Sequence, residues 1–362
     1  EMEANLKKAR EWMTEALNEE NENQAIVLNE KEMQRCNQIE AEHEKQLNIK
    51  VKSFKFETST EYEQIMTEDQ RKLYDYYTQS VINFENANRT HDPKQPNIKP
   101  LRAFCTGPAG TGKSLLIEAI SVKLQEFYGT AEGESKVERL GPTGVASSNI
   151  NGNTLHKAFK LSIQKKEGDE IQKRLPDPDT IALNRIFTKR VLIILDEGSM
   201  ISNATMAKIN HRLNQICLIN ANTLDNDDLE DCWTTFGAKP ILIFGDFLQL
   251  QPVAQPFIFE NITFKLAQQI LAVNGIPNLF EQFEYFELIE QMRQKGDLAF
   301  QKLLNNIRIG ILDKDDHELI KSMKMELPGS KEQHFHQLAL KYKDIIQNDK
   351  NSVCLFPLRE DV

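Results

Sequence analysis

The sequence has 362 residues, and 40% of them are apolar, which is enough for a buried core and excludes disorder throughout. Its longest unbroken apolar run is five residues, whereas a helix that crosses a bilayer needs about 20, so no membrane segment is predicted. The net charge of -10 argues against a protein that binds nucleic acid over its whole surface. Five widely spaced cysteines without a C-x-x-C pair predict neither a disulfide framework nor a zinc site, and they favour a reducing intracellular compartment.

The N-terminal segment is acidic. Residues 1–50 carry 12 acidic and 7 basic side chains, contain neither Gly nor Pro, and predict a helix from Glu1 to about Gln46. We assign residues 1–65 to an acidic helical arm or linker, with a partner-binding helix as the alternative. Because the chain begins with Glu1 rather than Met and has no secretory signal, we expect it to be a fragment of a longer polypeptide.

An alternation of helices and strands follows this arm. A helix is predicted over Thr67–Phe84, and the three prolines of His91–Pro100 indicate a loop. Strands are then predicted over Leu101–Thr106, Val137–Leu140, Val191–Asp196 and Ile241–Asp246, with helices over Ser114–Phe127 and from Gly144 to Asn149. This order predicts an α/β fold with a parallel sheet flanked by helices, whose ligands bind at the carboxyl ends of the strands.

The first predicted strand is followed by a complete phosphate-loop pattern, G-x-x-x-x-G-K-S, over residues 107–114. Its glycines let successive N–H groups turn inward, and the helix that follows adds a partial positive charge. A Gly-rich turn without a ligand is the alternative. The residues that we expect to bind ATP here are Gly107, Ala109, Gly110, Thr111, Gly112, Lys113 and Ser114, with Ser114 also a ligand of Mg²⁺.

Two further strand ends carry polar groups suited to nucleotide hydrolysis. Asp196 and Glu197 close the strand that begins at Val191, so Asp196 is predicted to hold Mg²⁺ and Glu197 to act as the general base. Gln249 follows the strand that begins at Ile241, and its amide could contact both the γ-phosphate and the attacking water. For Gln249 an ordinary strand-to-loop turn is the alternative.

The motifs occur together in the order and approximate spacing of the petite-integration-frequency DNA helicases, which are superfamily-one motors, and the resemblance covers about Met66 to Gly310. The motifs that carry it are Gly107-Pro-Ala-Gly-Thr-Gly-Lys-Ser, Gly141-Pro-Thr-Gly-Val-Ala, Gly152-Asn-Thr-Leu-His, Asp196-Glu-Gly-Ser-Met, Phe236-Gly-Ala-Lys, Gly245-Asp-Phe-Leu-Gln-Leu and Gln291-Met-Arg-Gln. The resemblance implies a RecA-like P-loop NTPase domain over residues 66–342. It also implies that Gln70 reads adenine and that Arg293 approaches the γ-phosphate.

The segment from Gly141 to Phe159 resembles the part of these helicases that contacts single-stranded DNA. Short polar groups there suit backbone phosphates and aromatic rings suit base stacking. The residues expected to bind nucleic acid are Thr143, Asn153, Thr154, His156 and Phe159. Between Thr154 and Arg190 nine basic and five acidic residues give a local excess of positive charge. Core packing for Phe159, and an ordinary polar role for His156, are the alternatives.

The chain also departs from the family pattern. Gly198 replaces an apolar residue and is expected to loosen the packing behind the catalytic strand, and Gln251 replaces a proline and is expected to relax its turn. Residues 352–362 resemble the strand that opens the family's second motor domain, so residues 343–362 are assigned to the start of a truncated second RecA-like domain. We expect the rest of that domain, and its second arginine, to be missing from this chain.

The resemblance implies an ATP-dependent 5′-to-3′ DNA helicase that binds single-stranded DNA and acts in DNA repair, recombination or telomere maintenance. The expected cofactors are ATP and Mg²⁺, and the expected location is intracellular, in the nucleus or alternatively the mitochondrion. One alternative is a nucleotide-binding interaction module without unwinding activity. Another is a generic phosphate-loop enzyme such as a small-molecule kinase.

Overall fold

The computed structural model describes residues 28–51, 54–90, 98–129, 134–161, 174–217, 235–292, 296–324, 328–348 and 352. The chain separates into two compact units, Glu1–Leu298 and Ala299–Val362. In the described part of the first unit, six strands form one parallel sheet in the order β3-β2-β4-β5-β1-β6. The strands are β1 (Arg102–Thr106), β2 (Val137–Gly141), β3 (Asn153–Thr154), β4 (Leu192–Leu195), β5 (Ile241–Gly245) and β6 (Glu284–Glu287). The predicted α/β fold with a parallel sheet is confirmed.

Helices flank this sheet. They are α1 (Glu30–Val51), α2 (Ser59–Ile65), α3 (Glu68–Thr90), α4 (Lys113–Tyr128), α5 (Gly144–Asn149), α6 (Leu155–Ala158), α7 (Asp177–Thr188), α8 (Asn203–Cys217) and α9 (Phe264–Leu271). The helices predicted over Thr67–Phe84 and Ser114–Phe127 are thus confirmed as α3 and α4. The predicted N-terminal helix is confirmed from Glu30 onward, and its first 27 residues lie outside the described part of the chain.

Successive side chains of a strand point to opposite sides of the sheet. Helices cover both sides, so the central strands are buried on both faces. In β5, Leu242 and Phe244 pack in a core cluster with residues of α3 and α4. Ile241 and Ile243 pack in a second cluster with residues of α6, α7 and α8. The central part of the sheet is therefore a layer between two sets of helices.

The acidic helix α1 packs on α7 through ion pairs rather than lying free. Glu40 accepts from Lys189 at 2.8 Å, and Glu44 accepts from Arg190 at 2.6 Å. Arg190 is fully buried and also donates to Glu138 of β2 at 3.0 Å. Although burial raises the pKa of Glu138, its pairs with His43 and Arg190 lower it to about 2. Part of the basic excess between Thr154 and Arg190 is thus neutralised by α1, inside the protein.

The second unit contains three helices in its described residues. They are α10 (Leu298–Ile309, which begins at the last residue of the first unit), α11 (Lys314–Met323) and α12 (Lys331–Asn348). Asp313 caps the start of α11 by accepting from the backbone N–H of Asp316, and the buried Asp316 carboxylate accepts from Asn306 at 2.7 Å. Within the described residues of either unit, no helix has the length and apolar character needed to cross a membrane.

Candidate functional site

The phosphate loop joins β1 to α4 at the carboxyl edge of the sheet, as the sequence predicts. Thr106, the last residue of β1, pairs with Gly245 of β5, so the loop begins beside Asp246. Gly112 has a φ of 87°, a left-handed conformation that favours glycine, and α4 begins at the next residue, Lys113. The N–H groups of the first turn of α4 are available at this point, which is the arrangement that binds phosphate.

Gln70 supports the loop from the side of α3. Its carboxamide is 2% exposed; the Nε2 group donates to the carbonyl of Thr111 at 2.8 Å, and Oε1 accepts from the N–H of Thr67 at 3.0 Å. A Cβ added at Gly112 would lie 2.3 Å from Gln70 Nε2, so a larger residue there would displace the Gln70 amide from the loop. Both ends of the Gln70 amide already bond to the backbone, and its role in reading adenine stays a prediction.

Lys113 lies at the centre of the site. Its ammonium donates to the carbonyls of Gly107 at 2.6 Å and Pro108 at 3.1 Å. Burial lowers the pKa of Lys113, and the negative charges of Asp246, Asp196 and Glu197 oppose that shift. The lysine and the three carboxylates from the ends of β4 and β5 therefore form one electrostatic group.

Asp196 is a buried carboxylate, 6% exposed. Burial raises its pKa to about 6, the neighbouring Glu197 adds to the shift, and the N–H of Glu197 and the ammonium of Lys113 reduce it. Its backbone N–H donates to Leu140 of β2 at 2.9 Å, which fixes it at the edge of the sheet. A buried carboxylate next to a phosphate loop fits Mg²⁺, a hard cation that prefers oxygen ligands. Ser114, in the first turn of α4, is exposed.

The turn after Asp196 is tightly packed. Glu197 has a φ of 52° and is half-buried, and the next residue, Gly198, is buried against β5. A Cβ at Gly198 would lie 2.4 Å from Cγ2 of Ile243 and 3.2 Å from the ring of Phe104. The expectation that Gly198 loosens this packing is wrong, because β5 and Phe104 occupy the space that a side chain would need.

Asp246 is a site residue that lies in the motif beginning at Gly245 but was given no role from the sequence. It is 1% exposed, and its carboxylate accepts from the N–H of Leu248 and from Nε2 of Gln249, both at 3.1 Å. Gln249 is thereby directed at Asp246. The signal was present in the sequence, since β5, like β4, is followed by an aspartate at the edge where ligands bind. Arg293 lies outside the described residues.

The residues predicted to bind nucleic acid differ in how far they are exposed to solvent. Thr143 is exposed and caps α5 by accepting from the N–H of Ala146, Thr154 is half-buried, and His156 is exposed. Asn153, in β3, is only 3% exposed. Phe159 is fully buried and stacks on Phe187 of α7, with ring centroids 5.2 Å apart. The prediction that Phe159 stacks on bases is wrong, because the ring is part of the core. Asn153 is likewise not on the surface.

The phosphate loop, the acidic pair that ends β4 and the turn after β5 lie within residues 65–318, which match the family model of the PIF1-like helicase. The chain belongs to the PIF1-like helicase family. The match begins after α1 and almost all of α2, so the acidic helix that packs on α7 precedes the part of this PIF1-like chain that the family model describes.

Known proteins similar to this PIF1-like chain are longer than the chain itself. The ATP-dependent DNA helicase RRM3 of Saccharomyces cerevisiae is 27% identical over 236 residues, which cover 63% of this chain and 28% of that protein. The ATP-dependent DNA helicase PIF1 of Candida albicans is 31% identical over 219 residues, covering 59% of this chain and 21% of that protein. A crystal structure of Pif1 helicase from Candida albicans has 22% identity and a TM-score of 0.47, and the match covers 74% of this chain and 49% of that chain. The chain thus spans about a quarter of the length of the two curated relatives.

Proposed function

We propose that this chain is the ATP-hydrolysing motor part of an ATP-dependent 5′-to-3′ DNA helicase that binds single-stranded DNA. The observation that carries the proposal is the phosphate loop at the carboxyl edge of the sheet, where Lys113 bonds to the loop carbonyls and the strand ends beside it supply Asp196, Glu197 and Asp246. A half-buried lysine on a phosphate loop suits a triphosphate, and acidic strand ends suit the metal ion and water that hydrolysis requires.

Each residue has a stated part in this proposal. Lys113 and the loop N–H groups bind the phosphates, and Gln70 contacts the adenine. Ser114 and Asp196 hold Mg²⁺, which would neutralise charge on the phosphate oxygens. Glu197 accepts a proton from the attacking water, because a carboxylate beside the phosphate site can act as a general base. Gln249 and Arg293 are assigned to the γ-phosphate, and the resemblance of Arg293 to a family arginine implies that it acts from the same domain as the loop.

The nucleic-acid surface that we propose includes Thr143, Thr154 and His156. Its exposed or half-exposed polar side chains suit backbone phosphates, and sequence-tolerant binding needs no groove-reading arginines. The curated relatives named above are DNA helicases, which supports DNA as the ligand. Unwinding itself belongs to the whole helicase, and a second motor domain is its proposed partner in the same polypeptide.

The cellular role follows from the same proposal. An intracellular helicase, in the nucleus or alternatively the mitochondrion, would act in DNA repair, recombination or telomere maintenance. We also propose the division into an acidic segment of residues 1–65, a RecA-like domain of residues 66–342 and the start of a second domain at residues 343–362.

The test is ATP hydrolysis by this chain and by the Lys113→Ala variant, each with and without single-stranded DNA. Lys113→Ala should abolish turnover or ATP binding while the circular dichroism spectrum is unchanged, because the phosphates lose their main cation. Lys72→Ala, which removes an exposed lysine paired with Glu68 on α3, is the matched control and should keep full activity. An active Lys113→Ala variant would refute the assigned phosphate site. Turnover that single strands do not stimulate would favour the small-molecule kinase, and ATP binding without turnover would favour the interaction module.

A further inference from the structure

The turn after β5, which carries Gln249, packs on the sheet through the ring of Phe247. The buried carboxylate of Asp246 accepts from the N–H of Leu248 and from Nε2 of Gln249, so it closes the turn on itself. The next side chains face solvent, since Leu248 is 52% exposed, Leu250 is 71% exposed and Gln249 is exposed as well. Phe247, by contrast, is half-buried. The position of the Gln249 amide therefore depends on Asp246 and on the packing of Phe247.

The Phe247 ring lies flat on the ring of Phe104 in β1. The two centroids are 4.5 Å apart and the planes differ by 3°, an arrangement in which aromatic rings attract one another beyond the area that they bury. Phe259 and Phe280 pack edge-on against Phe247, with centroids 5.1 and 5.9 Å away, and restrict its rotation. Phe104 is fully buried, and β1 leads directly into the phosphate loop at Gly107. The stack thus joins the turn after β5 to the strand that carries the phosphate loop.

Phe104 also lies against the turn after β4. A Cβ at Gly198 would lie 3.2 Å from Cε2 of Phe104, and Gly198 directly follows Glu197, the proposed general base. One buried ring therefore contacts the turns that carry Glu197 and Gln249, and it belongs to the strand that precedes the phosphate loop. A change in how Phe247 packs on this ring would move Gln249 relative to the other two groups.

We propose that Phe247 is a positioning residue, which acts through its stack on Phe104 to hold the Gln249 amide at its place beside the phosphate loop. The inference rests on the proposed function, because it assumes that Gln249 contacts the γ-phosphate or the attacking water. Phe247 has no polar side-chain atom, so it acts on the reaction only through its neighbours. A displacement of about 1 Å in a group that orients a reactant can lower a rate by about 100-fold. Loss of the stack should therefore lower turnover and spare ATP binding, which the phosphate loop provides.

ATP hydrolysis and ATP binding by Phe247 variants test this role. Phe247→Leu keeps an apolar side chain and removes the ring, and we expect kcat to fall by about 10- to 100-fold while the Kd of ATP is unchanged. Phe247→Tyr keeps the ring and should keep kcat. Phe283→Leu is the matched control, because Phe283 is also half-buried and its described ring contacts are with Phe236 and Phe280. Its kcat should stay close to that of the unmodified chain.

A double substitution shows whether Phe247 acts through Gln249. Gln249→Ala removes the amide, so adding Phe247→Leu to it should lower kcat no further. An equal fold-loss in both backgrounds would overturn the inference, because Phe247 would then act through another group or through stability alone. A Phe247→Leu variant with unchanged kcat would overturn it as well. Thermal unfolding of each variant shows which of them are folded at the assay temperature.

Hydrogen exchange gives a readout that needs no turnover. The N–H of Leu248 donates to Asp246, so its exchange rate measures how well the turn is held. Phe247→Leu should raise this rate by about 10-fold and Phe283→Leu should leave it unchanged. Unchanged exchange in Phe247→Leu would overturn the inference. If the unmodified chain does not hydrolyse ATP, the proposed function fails, and the exchange rate still decides whether Phe247 holds the turn that carries Gln249.

Discussion

Replacing Asp196 by Asn should stabilise the folded protein while it abolishes hydrolysis. The pKa of Asp196 is raised from 3.8 to about 6, chiefly by burial. An acid with a raised pKa makes the folded state lose stability as the pH rises from about 4 to about 6, because the folded state must then ionise a carboxyl that burial disfavours. A shift of about two pH units corresponds to about 3 kcal/mol, and Asn carries no such penalty. Since Asp196 also compensates the charge of Lys113, we expect a net gain of about 1–3 kcal/mol at pH 7.5.

Thermal unfolding at pH values from 4 to 8 measures this gain. The variant should unfold about 2–4 °C higher for each kcal/mol at pH 7.5, and the difference should vanish toward pH 4, where the native carboxyl is protonated as well. Asp75→Asn, at a 57% exposed position on α3, is the matched control and should show no such pH dependence. An Asp196→Asn variant that is less stable at pH 7.5, or whose gain is the same at every pH, would refute the reasoning.

Three further substitutions test the turn after β4 and the packing of Phe159 in the core. Glu197→Gln should keep nucleotide binding and lose ATP hydrolysis, measured as phosphate release, because the amide cannot accept the proton of the attacking water. Retained hydrolysis would show that another residue is the general base. Gly198→Ala should destabilise the fold by about 1–3 kcal/mol in urea unfolding, because its Cβ would lie 2.4 Å from Cγ2 of Ile243, and an equally stable variant would contradict this packing. Phe159→Ala should destabilise by about 3–5 kcal/mol, because it leaves a cavity beside Phe187. A stable Phe159→Ala variant that binds DNA poorly would instead restore the base-stacking prediction.

The sequence predicts the central strands and the phosphate loop because their signals are local. β4 and β5 are short apolar runs that end in aspartate, and the loop has a fixed pattern next to a strand. The edge strands β3 and β6 give no such signal. β3 has only two residues, and β6 has the sequence Glu-Tyr-Phe-Glu with largely exposed side chains. A strand of this kind is defined by its pairing with β1 or β2, which composition does not reveal.

Predictions that depend on distant contacts are less successful. Whether Phe159 faces solvent or core is decided by its stacking on Phe187 from another helix. From the sequence alone, the basic residues at and after the end of α7 are expected to bind a ligand. In the structure, Lys189 pairs instead with Glu40 of α1, which is 149 residues away in the chain. From the sequence alone, Gly198 is expected to weaken the packing, whereas in the structure the close approach of β5 requires a glycine at this position. In each case the deciding partner lies far away in sequence, so no local pattern carries the information.

The ion pairs between α1 and the sheet bear on where an expression vector for this domain should start. A truncation at residue 65, the first residue of the family match, would remove His43 and Glu44 and leave the buried Glu138 and Arg190 with fewer countercharges. The pair between Glu138 and Arg190 would remain, but both side chains would lose partners and the cover of α1, so we expect the truncated domain to be less stable. The domain that the family model describes therefore differs from the packed unit, because the helix that begins at Glu30 precedes the match and forms ion pairs with it.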